Sequence, residues 1–417
     1  MALVVVLGLL LFAGLGCGGD ETSTDDTTAD TAAATETSAG ETGDTTETSE
    51  AGGQAAAPTG EPIVFGAVVS ATGPAAALGE QERAALEMLE GQLNDRGGLL
   101  GRPVDIVIED DQSNPNEAVT ATNKLIQQDG AVAIIGGTIS PSTLAMKPIT
   151  AREGIPQVTM SAANAITDEP PIEWMWRTPP KDALAVARAL TYVSEELGVT
   201  RIAVLHDENA FGSSGLAEIE KSAADYGLEV VAKESYRTDE TDLTAPLTKI
   251  RSSEPEALVV WGTNPGPAVA AKNMDQLGMD IPYVGSHGIA NMTFIDLAGD
   301  AAEGVVFPAG KLLIPESITD PAQKEVVDGF IAAFEEATGQ KPNTFAGHAF
   351  DSVGLLANAI ERAGTTEPGD IQKALNETTG WAGPDGIFNY SETNHDGLEV
   401  DDLIMVRIEN GSWVMAE

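Results

Sequence analysis

Cysteine, basic residues and long apolar runs are scarce in this sequence, and each scarcity excludes a class of protein. The 417 residues include one cysteine, Cys17, so no disulfide bond can form within the chain. There are 22 lysines and arginines against 65 aspartates and glutamates, which gives a net charge of −43. Nucleic acids are bound by clusters of Lys and Arg, so we expect no nucleic-acid partner. The acidity instead favours solubility in a salty habitat, where salt screens the repulsion.

Motifs of the common enzyme classes are absent as well. The sequence has no Gly-x-Ser-x-Gly nucleophile elbow, no Walker loop, and no dinucleotide-binding glycine fingerprint after its first predicted strand. The four histidines have no zinc-ligand spacing, and the single cysteine precedes the part of the chain that we predict to fold. We therefore expect a protein that is not an enzyme and that needs no cofactor or metal.

An apolar run covers residues 2–16 and is shorter than the roughly 20 residues of a membrane span. Its length is typical of the apolar core of an export signal. The run ends at Gly14-Leu15-Gly16-Cys17, which resembles a bacterial lipoprotein signal, although leucine is usual where Gly14 stands and no Lys or Arg precedes the run. We predict that residues 1–17 are a lipoprotein signal and that Cys17 carries a lipid.

The following segment, residues 18–61, consists largely of Thr, Ser, Ala, Gly, Asp and Glu and contains no Lys or Arg. Such a composition cannot bury enough apolar surface to offset the entropy of ordering, so it predicts disorder. An acidic disordered linker behind a lipidated cysteine indicates a tether that holds a folded domain at the outer face of a membrane.

From residue 62 onward, strand patterns alternate with helix patterns. The first unit has a strand at Ile63–Val69, a break at Ser70–Pro74, a helix at Leu78–Arg96 and a second strand at Val104–Ile108. Alternation of this kind predicts α/β architecture with parallel sheets covered on both faces. Open α/β sheets bind ligands outside the carboxyl ends of their strands, so we expect the site in the turns that follow the strands.

The alternation continues as two consecutive series, followed by two helices at Glu325–Thr338 and Phe345–Ala363 that begin no new series. We interpret these helices as additions to the earlier lobes, and we predict terminal strands at Gly386–Asn389 and Leu403–Glu409. The other predicted strands are Ala131–Ile135, Gln157–Met160, Arg201–Leu205, Glu229–Glu234, Ala257–Trp261 and Tyr283–Val284.

Six segments in the same order and spacing resemble the periplasmic leucine/isoleucine/valine-binding protein family, the solute-binding components of ABC importers. They are Ser70–Pro74 with Gly79-Glu80, Gly97–Pro103, Glu109–Asp111, Gly154–Gln157, His206–Gly212 and Ala298–Gly304. The resemblance implies two parallel-sheet α/β lobes joined by a three-crossing hinge, which close on a ligand. Lobe one would be residues 62–182 and 310–380, and lobe two would be residues 183–309 and 381–417.

The resemblance also implies ligand-binding residues in lobe one. Ser140 matches a serine that meets the ligand carboxylate at the start of a helix, although Ser-Pro is also an ordinary N-cap sequence. Ser161, Ala162 and Ala163 form the second such turn, where the family commonly has threonine at the position of Ala163. Leu78 matches an aromatic residue that touches the ligand side chain, and a core leucine at a helix start is the alternative.

In lobe two, Phe211 matches a tyrosine that covers the ligand, and Asn264 falls near another tyrosine position. His287 falls where branched-chain binders place a glutamate that holds the ligand ammonium. A histidine suits a carboxylate, hydroxyl or carbonyl better than an ammonium group. The alternative for His287 is a turn histidine with local hydrogen bonds.

The resemblance therefore implies an extracytoplasmic, lipid-anchored and monomeric solute-binding protein. It would capture a branched-chain amino acid or a related small carboxylate and deliver it to an ABC permease in the membrane. An aromatic or aliphatic acid is the alternative ligand, and a ligand-sensing receptor domain is the alternative function.

Overall fold

The computed structural model describes residues 57–416, so the predicted lipoprotein signal, Cys17 and most of the predicted linker lie outside the described residues. The last residues of that linker, 57–61, are bound to the folded part. The Thr59 amide donates to the Gly101 carbonyl at 2.9 Å, and Arg102 Nε donates to the Glu61 carbonyl at 2.9 Å. Thr59 and Glu61 are therefore held against the folded part, in contrast to the predicted disorder up to residue 61.

The first lobe is built on a five-stranded sheet whose strand pairs are all parallel, in the order β2-β1-β3-β4-β5. Its elements in chain order are β1 (Ile63–Val69), α1 (Ala76–Asp95), β2 (Val104–Asp110), α2 (Pro115–Gln127), β3 (Ala133–Gly136), α3 (Ser140–Glu153), β4 (Gln157–Thr159), α4 (Ala165–Asp168) and β5 (Met175–Arg177).

The chain then crosses into the second lobe, where a second α/β series forms five more strands, each parallel to its neighbours. Its elements are α5 (Asp182–Glu195), β6 (Arg201–Asp207), α6 (Ala210–Ser222), β7 (Glu229–Tyr236), α7 (Thr244–Ser252), β8 (Ala257–Trp261), α8 (Gly266–Gln276), β9 (Tyr283–Gly285), α9 (Met292–Ala298) and β10 (Val306–Gly310).

After β10 the chain returns to the first lobe and later crosses back. The remaining elements are α10 (Pro321–Thr338), α11 (Thr344–Ala363), α12 (Pro368–Asn376), β11 (Trp381–Gly383), β12 (Gly386–Phe388), β13 (Leu403–Glu409) and β14 (Ser412–Met415). Strands β13 and β14 join the second sheet as antiparallel edge strands, so that its order is β14-β13-β10-β9-β8-β6-β7. The predicted fold, two α/β lobes with three crossings between them, is confirmed.

Each lobe has its own apolar core, because helices cover both faces of its sheet. The central strands β1 and β8 are buried at nearly every position, and both consist almost entirely of apolar residues, as fully covered parallel strands do. In the first lobe, α11 packs against α1 and contributes Val353, Leu356 and Ile360 to the core. None of the described helices combines the length and apolar character needed to cross a bilayer.

The segment that follows residue 380 differs from the sequence prediction. Phe388, Tyr390 and Leu398 pack in the core of the first lobe, whereas the prediction placed 381–417 in the second lobe. The strand pair β11–β12 forms its own small sheet beside α10 and α11, and the chain joins the second sheet only at β13. The prediction is wrong for residues 381–398, because strand patterns alone do not show which lobe covers them.

Candidate functional site

A cavity lies between the two lobes, where the carboxyl ends of strands from both sheets face each other. Its empty volume, including the open mouth, is about 450 Å³. The turns after β3 and β4 form one wall, and those after β6, β8 and β9 form the other, as expected for open α/β sheets. Its lining residues are Leu78, Thr138, Ile139, Ser140, Pro141, Met160, Ser161, Ala162, Pro179, Asn209, Phe211, Thr263, His287, Gly288, Phe345 and His348.

Ser140 is the first residue of α3 and is almost fully buried in the cavity wall. The N-cap position belongs to Ile139, which makes no side-chain cap, so Ser140 is not the ordinary N-cap that a Ser-Pro sequence suggests. Its hydroxyl accepts the Ala163 amide hydrogen at 3.2 Å. The hydroxyl therefore sits at the positive end of the helix dipole, which favours a negatively charged group of a ligand.

The turn after β4 adds Ser161 and Ala162 to the same wall. The Ser161 hydroxyl donates to Thr143 Oγ1 at 2.8 Å, which leaves its oxygen lone pairs as acceptors. Ala163 does not line the cavity, because its amide is bonded to Ser140 and its carbonyl accepts from Arg177 Nη2 at 3.0 Å. The predicted role of Ala163 in the site is thus confined to holding Ser140.

Arg177, the last residue of β5, fixes this turn from behind. Its side chain is fully buried and also donates to the Ser161 carbonyl at 3.1 Å and to Asp396 Oδ1 at 2.9 Å. Lys181 lies 2.7 Å from the other oxygen of Asp396. Burial acts to raise the pKa of Asp396, but the charge of Arg177 and hydrogen bonds from Lys181 and Thr167 outweigh it, so the pKa is lowered. The turn therefore rests on an ionised and hydrogen-bonded network.

Phe211 lies on the opposite wall in the first turn of α6. That helix begins at Ala210, because the side chain of Asn209 accepts the Gly212 amide hydrogen at 3.0 Å and caps it. The edge-to-face contact between the Phe211 and His287 rings has a centroid distance of 5.3 Å. Both rings line the cavity.

Asn264 is buried but does not line the cavity, so its prediction as a lining residue is wrong. Its Nδ2 donates to Asn291 Oδ1 at 3.3 Å, which turns the side chain into the second lobe. The preceding residue, Thr263, occupies the wall instead. A displacement of one residue along a turn is enough to exchange a lining side chain for a buried one.

His287 follows β9 and is buried against aromatic side chains. Its ring lies edge-on to Trp261 at a centroid distance of 5.9 Å, and Trp261 Nε1 donates to Asp182 Oδ1 at 3.0 Å. Neither ring nitrogen of His287 has a hydrogen-bond partner within the described part of the chain, which does not match a turn histidine with local hydrogen bonds. Burial lowers the pKa of His287 to about 3, with smaller contributions from the charges of His348 and Arg177. The ring is therefore neutral at pH 7.

Sequence reasoning missed two residues of α11 that complete the cavity, Phe345 and His348. They are three positions apart and so share one face of the helix, and their rings meet edge-to-face at 5.4 Å. His348 Nδ1 lies 2.5 Å from Asp385 Oδ2, and burial lowers the pKa of His348 to about 3. The spacing was a usable signal, but nothing local in the sequence shows that α11 returns to the cavity.

The cavity combines an apolar surface with neutral polar groups. The apolar part is supplied by Leu78, Met160, Phe211 and Phe345. Leu78 lies in the first turn of α1, where it is buried in the first lobe and also lines the cavity. None of the lining residues among the described part of the chain is an Asp, Glu, Lys or Arg. The site can therefore hold a small apolar body with an anionic or polar end, and it offers no carboxylate to an ammonium group.

Comparison with known proteins finds a matching family model and a similar solute-binding protein. A family model described as periplasmic binding protein matches residues 62–412. The leucine-, isoleucine-, valine-, threonine-, and alanine-binding protein of Pseudomonas aeruginosa is 29% identical over 322 residues, which cover 77% of this chain and 83% of that protein.

Solved structures agree in fold. An extracellular ligand-binding receptor from Rhodopseudomonas palustris HaA2 superposes with a TM-score of 0.80 at 25% identity, covering 86% of this chain and all of that one. A branched-chain amino acid transporter substrate binding protein from Streptococcus pneumoniae, in complex with isoleucine, gives a TM-score of 0.77 at 24% identity, covering 86% and 99% of the two chains.

Proposed function

The chain belongs to the periplasmic binding protein family, and from that premise we propose that it captures a small organic carboxylate and delivers it to an ABC permease. Membership of this family supports a location outside the cytoplasm and a solute-binding role. Capture would occur between the lobes, and closure about the three crossings would present the loaded form to the permease.

The observation that carries this proposal is that the cavity has a polar wall suited to a carboxylate and apolar rings suited to a small side chain. Ser140 places a hydroxyl at the start of α3, where a carboxylate is favoured, and Ser161 lies beside it. Phe211 on the opposite wall and Phe345 near the start of α11 offer apolar rings for a small side chain. A ligand with a carboxylate at one end and a compact apolar body fits both walls.

The ligand class we propose is a branched-chain amino acid or a related small carboxylate. The apolar lining is compatible with both, and the P. aeruginosa relative is named for binding leucine, isoleucine and valine among others. The neutral His287 and the lack of a lining carboxylate shift the balance toward acids without an ammonium group.

The decisive experiment is native mass spectrometry of the protein as purified, followed by calorimetric titration with the compound released from it. We predict that His287→Ala lowers the affinity for that compound at least tenfold, a loss of about 1.4 kcal/mol or more, since its partner on the ligand is left buried without a hydrogen bond. His206→Ala is the control, because His206 lies outside the cavity lining and bonds the Asp207 carbonyl.

Two results would count against the proposal. An unchanged affinity in His287→Ala would remove His287 from the site. Conversion of the bound compound into a product by the purified protein would contradict a transport role.

We also propose that the protein acts as a monomer tethered to the membrane through a lipid on Cys17. The acidic linker of residues 18–56 would then set the distance over which the folded part reaches the permease.

A further inference from the structure

A buried chain of three side chains ends at the cavity. Asp351 and His348 lie three positions apart on α11, and Asp385 lies in the turn between β11 and β12. The Asp385 amide donates to Asp351 Oδ2 at 2.9 Å, and Asp385 Oδ2 lies 2.5 Å from His348 Nδ1. All three residues are at most 5% exposed. Only the imidazole reaches the cavity, where its Nε2 makes no hydrogen bond to any described residue.

This chain places no positive charge beside the cavity. Burial raises the pKa of Asp351 and of Asp385, and the charge of Asp385 raises that of Asp351 further. Two carboxyl groups this close do not both ionise, and burial favours the protonated form of each. His348 and His287 are neutral. A carboxylate that enters the cavity would therefore meet no cation among the lining residues.

We propose that His348 is a further ligand-binding and specificity-determining residue, which takes up a proton from solvent as a small carboxylic acid without an ammonium group binds. The inference rests on the proposed function and names its ligand class. The imidazolium donates from Nε2 to the ligand and from Nδ1 to Asp385, and the one added proton offsets the negative charge of the buried ligand. No bond other than that N–H is made.

His348 is better placed for this proton than His287, the other lining histidine. Asp385 accepts from the imidazolium of His348, whereas both nitrogens of His287 are without a partner in the described structure and the positive charge of Arg177 acts on that ring. The remaining charged group of this network, Asp402, acts on Asp385 and is itself balanced by Lys311. An amino acid is the poorer ligand, because a neutral imidazole offers one acceptor to the three N–H groups of an ammonium.

The test uses two compounds with the same carbon skeleton, L-leucine and 4-methyl-2-oxopentanoate, which differ in the group at the second carbon. Calorimetric titrations of the full protein at pH 6, 7 and 8 measure the affinity for each. We expect the oxo acid to bind at least tenfold more tightly at pH 6, and its affinity to rise by up to about tenfold for each unit of acidification, as binding of one proton requires. Repeating the titration in buffers of different ionisation enthalpy measures the proton uptake directly.

Matched variants locate the proton. His348→Gln keeps an amide donor but cannot be protonated, so the affinity for the oxo acid should lose its dependence on pH. Asp385→Asn should reduce that dependence, since the imidazolium of His348 loses the carboxyl group that accepts its Nδ1 hydrogen. His287→Gln should weaken binding and keep the dependence on pH.

Three outcomes would overturn the inference. If His287→Gln abolishes the pH dependence and His348→Gln retains it, the proton is taken up by His287 and not by His348. If leucine binds as tightly as the oxo acid, the ligand class is wrong while the proposed function stands. If neither compound binds, the ligand class is also wrong, and the compound released in native mass spectrometry decides the proposed function separately.

Discussion

At the scale of single residues, burial decides which side chains around the hinge are charged. His287 and His348 are neutral because they are buried, and Asp182 at the start of α5 has its pKa raised to about 7 chiefly by burial, against hydrogen bonds from Ser214 and Trp261. Such groups titrate differently in the folded and unfolded chain, so they couple stability to pH.

Asp182→Asn should make the protein more stable at pH 8 and have a smaller effect near pH 4. The folded pKa of Asp182 is above its unfolded value of about 3.9, so its contribution to stability is fully present below that value and is lost as the pH rises through about 7. The shift of the pKa corresponds to about 4 kcal/mol of stability that the natural protein loses between pH 4 and pH 8. The variant keeps its stability over this range, because asparagine does not ionise. Its oxygen still accepts from Trp261.

Thermal unfolding followed by calorimetry at several pH values checks this prediction. The matched control is Asp105→Asn on β2, an exposed carboxylate whose replacement should change stability by less than about 0.5 kcal/mol. If the difference between Asp182→Asn and the natural protein does not grow with pH, the buried carboxyl of Asp182 is not the source of the coupling.

The residues of the site were only partly accessible from the sequence. Leu78, Ser140, Ser161, Ala162, Phe211 and His287, which the resemblance named, line the cavity, and their contact with a ligand stays a prediction. His348 was missed because its nearness to the cavity results from the return of α11, more than 60 positions after β9. Local sequence patterns do not show which residues come together where the two lobes meet.

At the scale of secondary-structure elements, short strands do more to position the site than long ones. Strand β5 has only three residues, and no sequence pattern predicted it. Its last residue, Arg177, nevertheless donates hydrogen bonds to the carbonyls of Ser161 and Ala163. Long elements with strong patterns, such as β1, β8 and β13, have the bounds that the sequence predicted. Strand β10 was missed, because no strand pattern was recognised at Val306–Gly310.

Arg177→Met should destabilise the protein by about 3–5 kcal/mol, because Asp396 loses its buried guanidinium partner and two carbonyls are left buried without a donor. Urea denaturation followed by circular dichroism measures the change. Arg152→Met is the control, since Arg152 is 59% exposed and pairs only with its neighbour Glu153. That variant should stay within about 0.5 kcal/mol of the natural protein. Equal midpoints for the two variants would contradict a structural role for Arg177.

At the scale of the whole molecule, two lobes with separate cores share three crossings, and the site belongs to neither lobe alone. The sequence predicted this division through the order of its strands and its resemblance to a family. It assigned residues 381–398 to the wrong lobe, because the pattern of Phe388 and Tyr390 fits either core equally well. Membership of a core depends on contacts between distant parts of the chain.

Cys17→Ala should move the protein from the membrane fraction to the soluble fraction when the full-length gene is expressed in a bacterial host. A lipid needs the thiol of Cys17, and the acidic linker has no apolar surface of its own to hold a membrane. Immunoblots of fractionated cells give the measurement. Ser23→Ala, a change in the same linker that keeps the cysteine, should remain with the membranes. A Cys17→Ala protein that still sediments with membranes would contradict the proposed anchor.

The position of Trp261 makes its fluorescence sensitive to the state of the cavity. Its indole is buried against His287 and Phe211 in the wall of the cavity and is hydrogen-bonded to Asp182 next to the first crossing. A ligand that contacts His287, or a rotation of the lobes about that crossing, changes the surroundings of the indole. The emission of an unlabelled sample therefore follows capture and release in real time, and replacement of Trp261 by phenylalanine separates its signal from that of the other four tryptophans.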